Sequence, residues 1–311
     1  VRARPLLAVA AAAALAAGTF TVTASASADA GRPHQFAARP HQPAPGPHQP
    51  ASGLHLTVRG MRAAPGIRLP PTSPARLTPN LISSAHTLSG FAVYANKSVA
   101  LRYVAASWNL PSLDATTCQA GSAAYHAVGL DGLTPTPNGV DSTIEQVGVG
   151  AVCGTGGTVT YFAWYEMYPG TFQTFTGVNP GDALSANVFS DPATRKYNLT
   201  LNDLTNGSFV RADGLSCPSG SVCKNATAEV LTEVPGNGPQ GGQNLADFGM
   251  VNYTNAAVTS RNGSAGTLAS KSGLWTSADI EMVSQTTGHR MATTSSLEGG
   301  QGFSVTWNAG S

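Results

Sequence analysis

From Ser89 onward, no stretch of this chain repeats its apolar residues at the 3.6-residue spacing of a helix. Short segments rich in Val, Thr, Tyr, Phe and Trp recur instead, separated by clusters of Gly, Asn, Asp, Pro and Ser. Examples are 100–109, 125–130, 143–149, 157–168, 183–189, 198–203, 228–234 and 304–307. β-Branched and aromatic side chains suit a pleated surface, so many short strands between turn signals predict an all-β domain, a sandwich or a barrel. The 223 residues from Ser89 to Ser311 suffice for one such domain. No repeat is regular enough for a propeller.

The chain before Ser89 has a different character. Arg2 and Arg4 precede an apolar run, 6–17, and small residues follow at 24–28. That order reads as a secretory signal peptide over residues 1–28, cut after Ala28 or, alternatively, after Ala26. Its apolar core is too short and too rich in Ala for a comfortable membrane span. The protein is therefore expected to be secreted, with no membrane association. Residues 29–88 are Pro-rich, and Pro-His-Gln recurs at 33–35, 40–42 and 47–49. Such a segment is expected to be extended or largely disordered, because it cannot bury enough apolar surface to offset its chain entropy. The three His of these repeats could be a metal tract, although Pro-rich coil supplies no fixed geometry. Six Arg, no Lys and one acid give this segment a charge of +5; nine Lys plus Arg against fifteen Asp plus Glu give the remainder −6. A basic leader on an acidic exported domain reads as a propeptide, with a solvated spacer as the alternative.

Four Cys remain in the exported part: Cys118, Cys153, Cys217 and Cys223. An even count in an oxidising compartment predicts two disulfides, and Pro218 and Gly220 can turn the chain between Cys217 and Cys223. Cys118 then pairs with Cys153. Zinc is the rival reading, disfavoured because there is no CxxC pair and the domain holds only His126 and His289.

The segment 160–169, TYFAWYEMYP, carries five aromatics in ten positions. Strand alternation places Trp164, Glu166 and Tyr168 on one face and Ala163, Tyr165 and Met167 on the other. Burying an unpaired carboxylate costs roughly several kcal/mol, which favours a solvent-accessible cleft floor over an ordinary core face with a salt-bridged Glu. The chemistry available to such a cleft is restricted. GxSxG and paired Cys/His signatures are absent, as are phosphate-binding Gly motifs, and the acidic domain disfavours nucleic acid. Carboxylate and amide chemistry remains, with no cofactor and no metal.

Four further segments accompany that strand: VGLDG at 128–132, TIEQVG at 143–148, Gly181-Asp182 and AEVLTE at 228–233. In this order the five resemble the glutamic peptidase family, the eqolisins. The resemblance runs from about Ser89 to the C-terminus. It implies an antiparallel β-sandwich of two large sheets, jelly-roll or concanavalin-like, with a Gln and a Glu projecting into a groove. The family's catalytic Gln falls on Gln146 and its Glu on Glu233, with Glu229 a competitor on the same strand face. The carboxylate would act as general base on the attacking water, and the Gln amide would donate to the oxyanion. Trp164, Glu166, Tyr168 and Asp131 are expected to line the substrate cleft, or else to be structural hydrogen-bonders. Without the resemblance, Gln146 reads as a polar residue on an exposed strand face and Glu233 as a solvated strand end. Two departures stand out. Ala127 takes the place of a Trp that usually precedes VGIDG, and Glu145 takes the place of an apolar residue before the Gln.

The resulting expectation is a secreted, monomeric acid endopeptidase acting on polypeptide substrates, partnered by its own N-terminal propeptide. A glycoside hydrolase using Glu166 and Glu233, or a glycan-binding module stacking sugars on Trp164 and Tyr168, is the alternative. With so few Lys and Arg, folding should tolerate about pH 3–4, where a carboxylate base near its reference pKa of about 4.3 is partly ionised. The leader's Arg side chains are expected to pair with cleft carboxylates at neutrality and to let go in acid. Self-processing would then cut between Arg59 and Leu88.

Overall fold

The computed structural model describes residues 54–64, 84–133, 143–235 and 244–310, all within one compact unit, Gln49–Ser311. Residues 1–28, read from the sequence as a signal peptide, and most of 29–88 lie outside the described residues. Among those described, the chain forms eighteen strands and a single turn of 3-10 helix at Thr155–Gly157. The first four strands are β1 (His55–Arg59), β2 (Arg62–Ala63), β3 (Ser84–Ala85) and β4 (Leu88–Ala95). Next come β5 (Leu101–Asn109), β6 (Ala123–Asp131), β7 (Ile144–Cys153), β8 (Val159–Tyr168) and β9 (Phe172–Thr176). They are followed by β10 (Ala183–Ser190), β11 (Lys196–Asp203), β12 (Phe209–Ser216), β13 (Thr227–Glu233) and β14 (Met250–Ser260). The last four are β15 (Ala265–Thr267), β16 (Trp275–Val283), β17 (Arg290–Thr294) and β18 (Phe303–Trp307).

Among the described strands, pairing is antiparallel except between β3 and β16. One layer runs in the order β1, β12, β11, β10, β5, β14, β18, β17. The other runs β2, β9, β8, β7, β6, β13, β4. The expected all-β antiparallel class is found, but the two layers are not separate sheets. β16 pairs with β4 through residues 275–280 and with β17 and β3 through 281–283, so one sheet rolls over on itself.

The main core lies between the layers, where β5, β10 and β11 pack over β6, β7 and β13. Strands β10 and β11 alternate buried and half-buried residues, sending Leu184, Ala186, Val188, Tyr197, Leu199 and Leu201 inward. Ala163, Tyr165 and Met167 of β8 join this core, whereas Trp164 belongs to a second cluster on the opposite face with Leu88, Tyr94, Tyr125, Phe162 and Leu231. The two-face reading of TYFAWYEMYP therefore holds. Strands β6 and β13 are buried on both faces. Disulfides join Cys118 to Cys153 and Cys217 to Cys223, as the spacing predicts, and each stabilises the fold by about 2–4 kcal/mol.

The leader departs from expectation at its described residues. His55–Arg59 pairs along β12, and Arg62–Ala63 pairs with β9. Met61 between them is buried in the main core. Average composition argues for unpaired chain, but the local sequence Leu-Thr-Val alternates like a strand and meets the outer edge of β12. The ordered domain likewise begins before Ser89. Ala85 is buried, Leu88 is the first residue of β4, and His86 Nδ1 lies 3.0 Å from the Val283 carbonyl.

Candidate active site

Register brings the motif residues together. On β7, Gln146 stands opposite Gly129 of β6 on one side and opposite Glu166 of β8 on the other. On β13, Glu229 is also opposite Gly129, while Glu233 is opposite Tyr125. Alternation puts Tyr125, Ala127, Gly129, Gln146, Trp164, Glu166, Glu229 and Glu233 on the face away from the main core. One row of that face thus reads Glu229, Gly129, Gln146, Glu166 across four strands. Directly opposed residues on antiparallel strands have Cβ atoms about 4.5–5.5 Å apart, so these side chains interact.

Gly129 is the gap in the row. A Cβ there would lie 2.5 Å from Gln146 Cγ, and 3.3 Å from both Gln146 Nε2 and Glu229 Oε2. Its bare backbone lets the amide and the carboxylate lean over β6. Gln146, Glu229 and Glu233 line one small cavity, together with Leu88, Asp131, Gly132, Leu133, Ile144 and Leu231.

The site is buried, contrary to the reading of a solvent-accessible floor or a solvated strand end. Gln146 is 3% exposed, Glu166 1% and Glu233 5%. Burial first, and then the charge of Glu166, hold the Glu233 carboxyl well above the ordinary carboxylate range. The expectation of a base near its reference pKa is therefore corrected upward. Trp164 is fully buried, packed between Tyr125 at 5.5 Å and Phe172 at 5.6 Å, and so presents no exposed platform for a sugar. Tyr168 is half-buried at the end of β8.

Asp131 sits at the end of β6 with φ of 61°, a region that Asp tolerates better than most residues, and Gly132 follows at 91°. Its buried carboxylate accepts the backbone N–H groups of Asn225 and Ala226 at 2.8 and 2.7 Å. It thereby fixes the chain that enters β13. Asp182 accepts the Asn179 N–H at 2.7 Å in the turn before β10. Glu145, opposite in parity to Gln146, is fully buried on the core side, and its charge raises the pKa of Tyr197 there after burial itself.

Sequence reasoning missed two features. Tyr125 lies two residues before Ala127 on the same face, and its ring meets Trp164, so an aromatic wall is present despite the missing Trp. Counting back from VGLDG by twos would have found it. The second is behind β13. His126 Nδ1 lies 3.0 Å from Thr232 Oγ1, which lies 3.0 Å from Tyr253 Oη, and Tyr253 donates to the Leu231 carbonyl at 2.6 Å. This network steadies the strand between Glu229 and Glu233. Burial holds the His126 imidazole neutral, with a pKa lowered to about 3. No local pattern around Tyr253 announces it.

A model of the Peptidase A4 family matches residues 86–307. This chain belongs to that family. Aspergillopepsin-2 of Aspergillus niger is 28% identical over 184 residues, 57% of this chain and 54% of that protein. Scytalidopepsin B of Scytalidium lignicola is 32% identical over 132 residues, 42% of this chain and 45% of that protein. The matched regions span about half the length of these relatives. A crystal structure of scytalido-glutamic peptidase with a peptide-based transition state analogue superposes with a TM-score of 0.56 at 25% identity, covering 71% of this chain and 98% of that one. Peptidase A4 membership accounts for the order of the five motifs. Among the described residues, no helix is long and apolar enough to cross a membrane.

Proposed function

We propose that this Peptidase A4 protein is a secreted endopeptidase that hydrolyses polypeptides through Gln146 and Glu233. The observation that carries the reading is that these two buried polar side chains, from strands separated by β6, line the same cavity. In the ionised state Glu233 removes a proton from a water molecule as its oxygen attacks the peptide carbonyl. Gln146 Nε2 donates to the oxygen that gains the negative charge. The Glu233 carboxylic acid then returns its proton to the leaving nitrogen as the C–N bond breaks. Trp164, Glu166 and Tyr168 flank the cleft, and Asp131 positions β13.

Glu229 is a second candidate for the base, because its Oε2 and Gln146 Nε2 approach the same point above Gly129. Motif alignment favours Glu233. Assaying the purified chain on denatured casein across about pH 3–7 tests the reading. Gln146→Ala and Glu233→Gln are expected to lose at least about 100-fold in rate, and Glu229→Gln to retain most activity. The reverse order for the two Glu variants would move the base to Glu229. EDTA, organophosphates and thiol alkylators are expected to leave the rate unchanged.

The leader is proposed to keep the enzyme latent near neutrality through its charge of +5 against −6. Arg59 and Arg62 sit exposed on β1 and β2, so any pairing with cleft carboxylates falls to the other four Arg. Following the mass of the full chain at about pH 7 and about pH 4 checks this, with Glu233→Gln as the control that should not convert. The working form is proposed to be a monomer.

A further inference from the structure

Resting on that reading, Tyr125 acquires a role. It is fully buried and directly opposite Glu233 in the pairing of β6 with β13. Its ring leans across β7, edge-on to Phe162 at 5.4 Å and tilted against Trp164 at 5.5 Å. Gly150 permits this, since a Cβ there would lie 2.8 Å from Tyr125 Cδ1 and 2.5 Å from Phe162 Cζ. Phe162 and Trp164 thus hold the ring, and both Glu233 and Glu166 act electrostatically on its hydroxyl. Tyr125 Oη and Glu233 Oε1 are each buried without a hydrogen-bond partner. One is a donor and the other an acceptor, and both bear the desolvation cost of an unmade bond.

We propose that Tyr125 is a positioning residue of the peptidase site, its hydroxyl donating to Glu233 Oε1 when that carboxylate ionises and leaving Oε2 for the proton of the attacking water. Such a donor favours the charged form of the acceptor and holds it in one rotamer. The other titratable groups facing Glu233 are Glu166 of β8 and Tyr253 of β14, with Glu229 along its own strand, Asp131 lining the same cavity and His126 behind Thr232. A Phe at position 125 keeps every ring contact and alters none of these charges.

The test is Tyr125→Phe, with kcat and KM on a peptide substrate measured across about pH 3–7 and thermal unfolding in parallel. The expected result is a fall in kcat of about ten- to a hundredfold, KM within about twofold, and a lower pH limb displaced upward by about half a unit or more. Tyr125→3-fluorotyrosine, which keeps the ring in place and strengthens the donor, should displace the limb downward. A limb that stays put in both variants overturns the proposal, whether or not kcat falls. A wild-type chain unable to cleave denatured protein would instead refute the peptidase reading itself.

Discussion

Gln146 and Glu229 meet above Gly129, and the absence of a side chain on that glycine is what allows it. Strand register alone would leave a Cβ between them. Gly129→Ala is therefore expected to displace the Gln146 amide by more than the tolerance of an oxyanion donor, lowering kcat/KM by about 10²–10³. The same clash lies at a buried position, so stability is also expected to fall, by about 1–3 kcal/mol. Steady-state kinetics with a denaturation curve on the same protein checks both halves.

Glu166 concerns the proton on Glu233. Its negative charge adds to burial in raising the Glu233 pKa. In its proposed role as base, Glu233 works only when ionised, so the rate is expected to fall as pH drops through that raised value. Glu166→Gln removes the charge and keeps the shape. The lower limb of the kcat/KM profile is expected to move to lower pH, opposite to the shift for Tyr125→Phe. An upward or absent shift would show that Glu166 does not act on Glu233 through charge.

How far the sequence discloses this site depends on the range of the forces involved. Alternation along TYFAWYEMYP fixes which side of β8 carries Trp164 and Glu166, because a period of two is a local property of the backbone. The pairing of Gln146 with Glu166, or of Tyr125 with Glu233, is set by register between strands and leaves no trace in either segment alone. Burial of Gln146 and Glu233 was equally hidden, since isolated strands suggest one wet face where this protein covers both. The strand at 55–59 was obscured by averaging over a Pro-rich leader.

His126 and Glu233 pull stability in opposite directions as pH changes. An unfolded imidazole protonates near about 6.5, whereas the folded one does so only at about 3. Between these values the unfolded chain binds a proton that the folded chain lacks, so stability falls as pH drops and levels off below about 3, by at most about 5 kcal/mol. For Glu233 the folded pKa is raised, so stability falls as pH rises from the ordinary carboxyl range through the raised value. Urea midpoints across pH should therefore lose their acid-side slope in His126→Asn and their opposite slope in Glu233→Gln. An unchanged acid-side slope in His126→Asn would place the acid sensitivity elsewhere.

Met61 tests whether the leader's docked segment belongs to the working protein. It is 6% exposed and packed in the main core. If the segment stays docked, Met61→Ala should cost about 2–5 kcal/mol in the full chain. The same loss should persist after acid incubation. A difference that disappears once the protein has been incubated in acid would show that processing releases the segment.

Closure of the rolled sheet has a meaning under the proposed peptidase activity. β16 joins the two layers on one side, and β1 and β2 cover the outer edges of β12 and β9 on the other. An uncovered edge strand is an extended backbone with unpaired N–H and C=O groups, the conformation in which a neighbouring molecule's groove could engage it. With that activity, each molecule is also a potential substrate for its siblings. Threading the leader along both rims moves each free edge onto a shorter strand, five residues in β1 and two in β2, which leaves less backbone to seize.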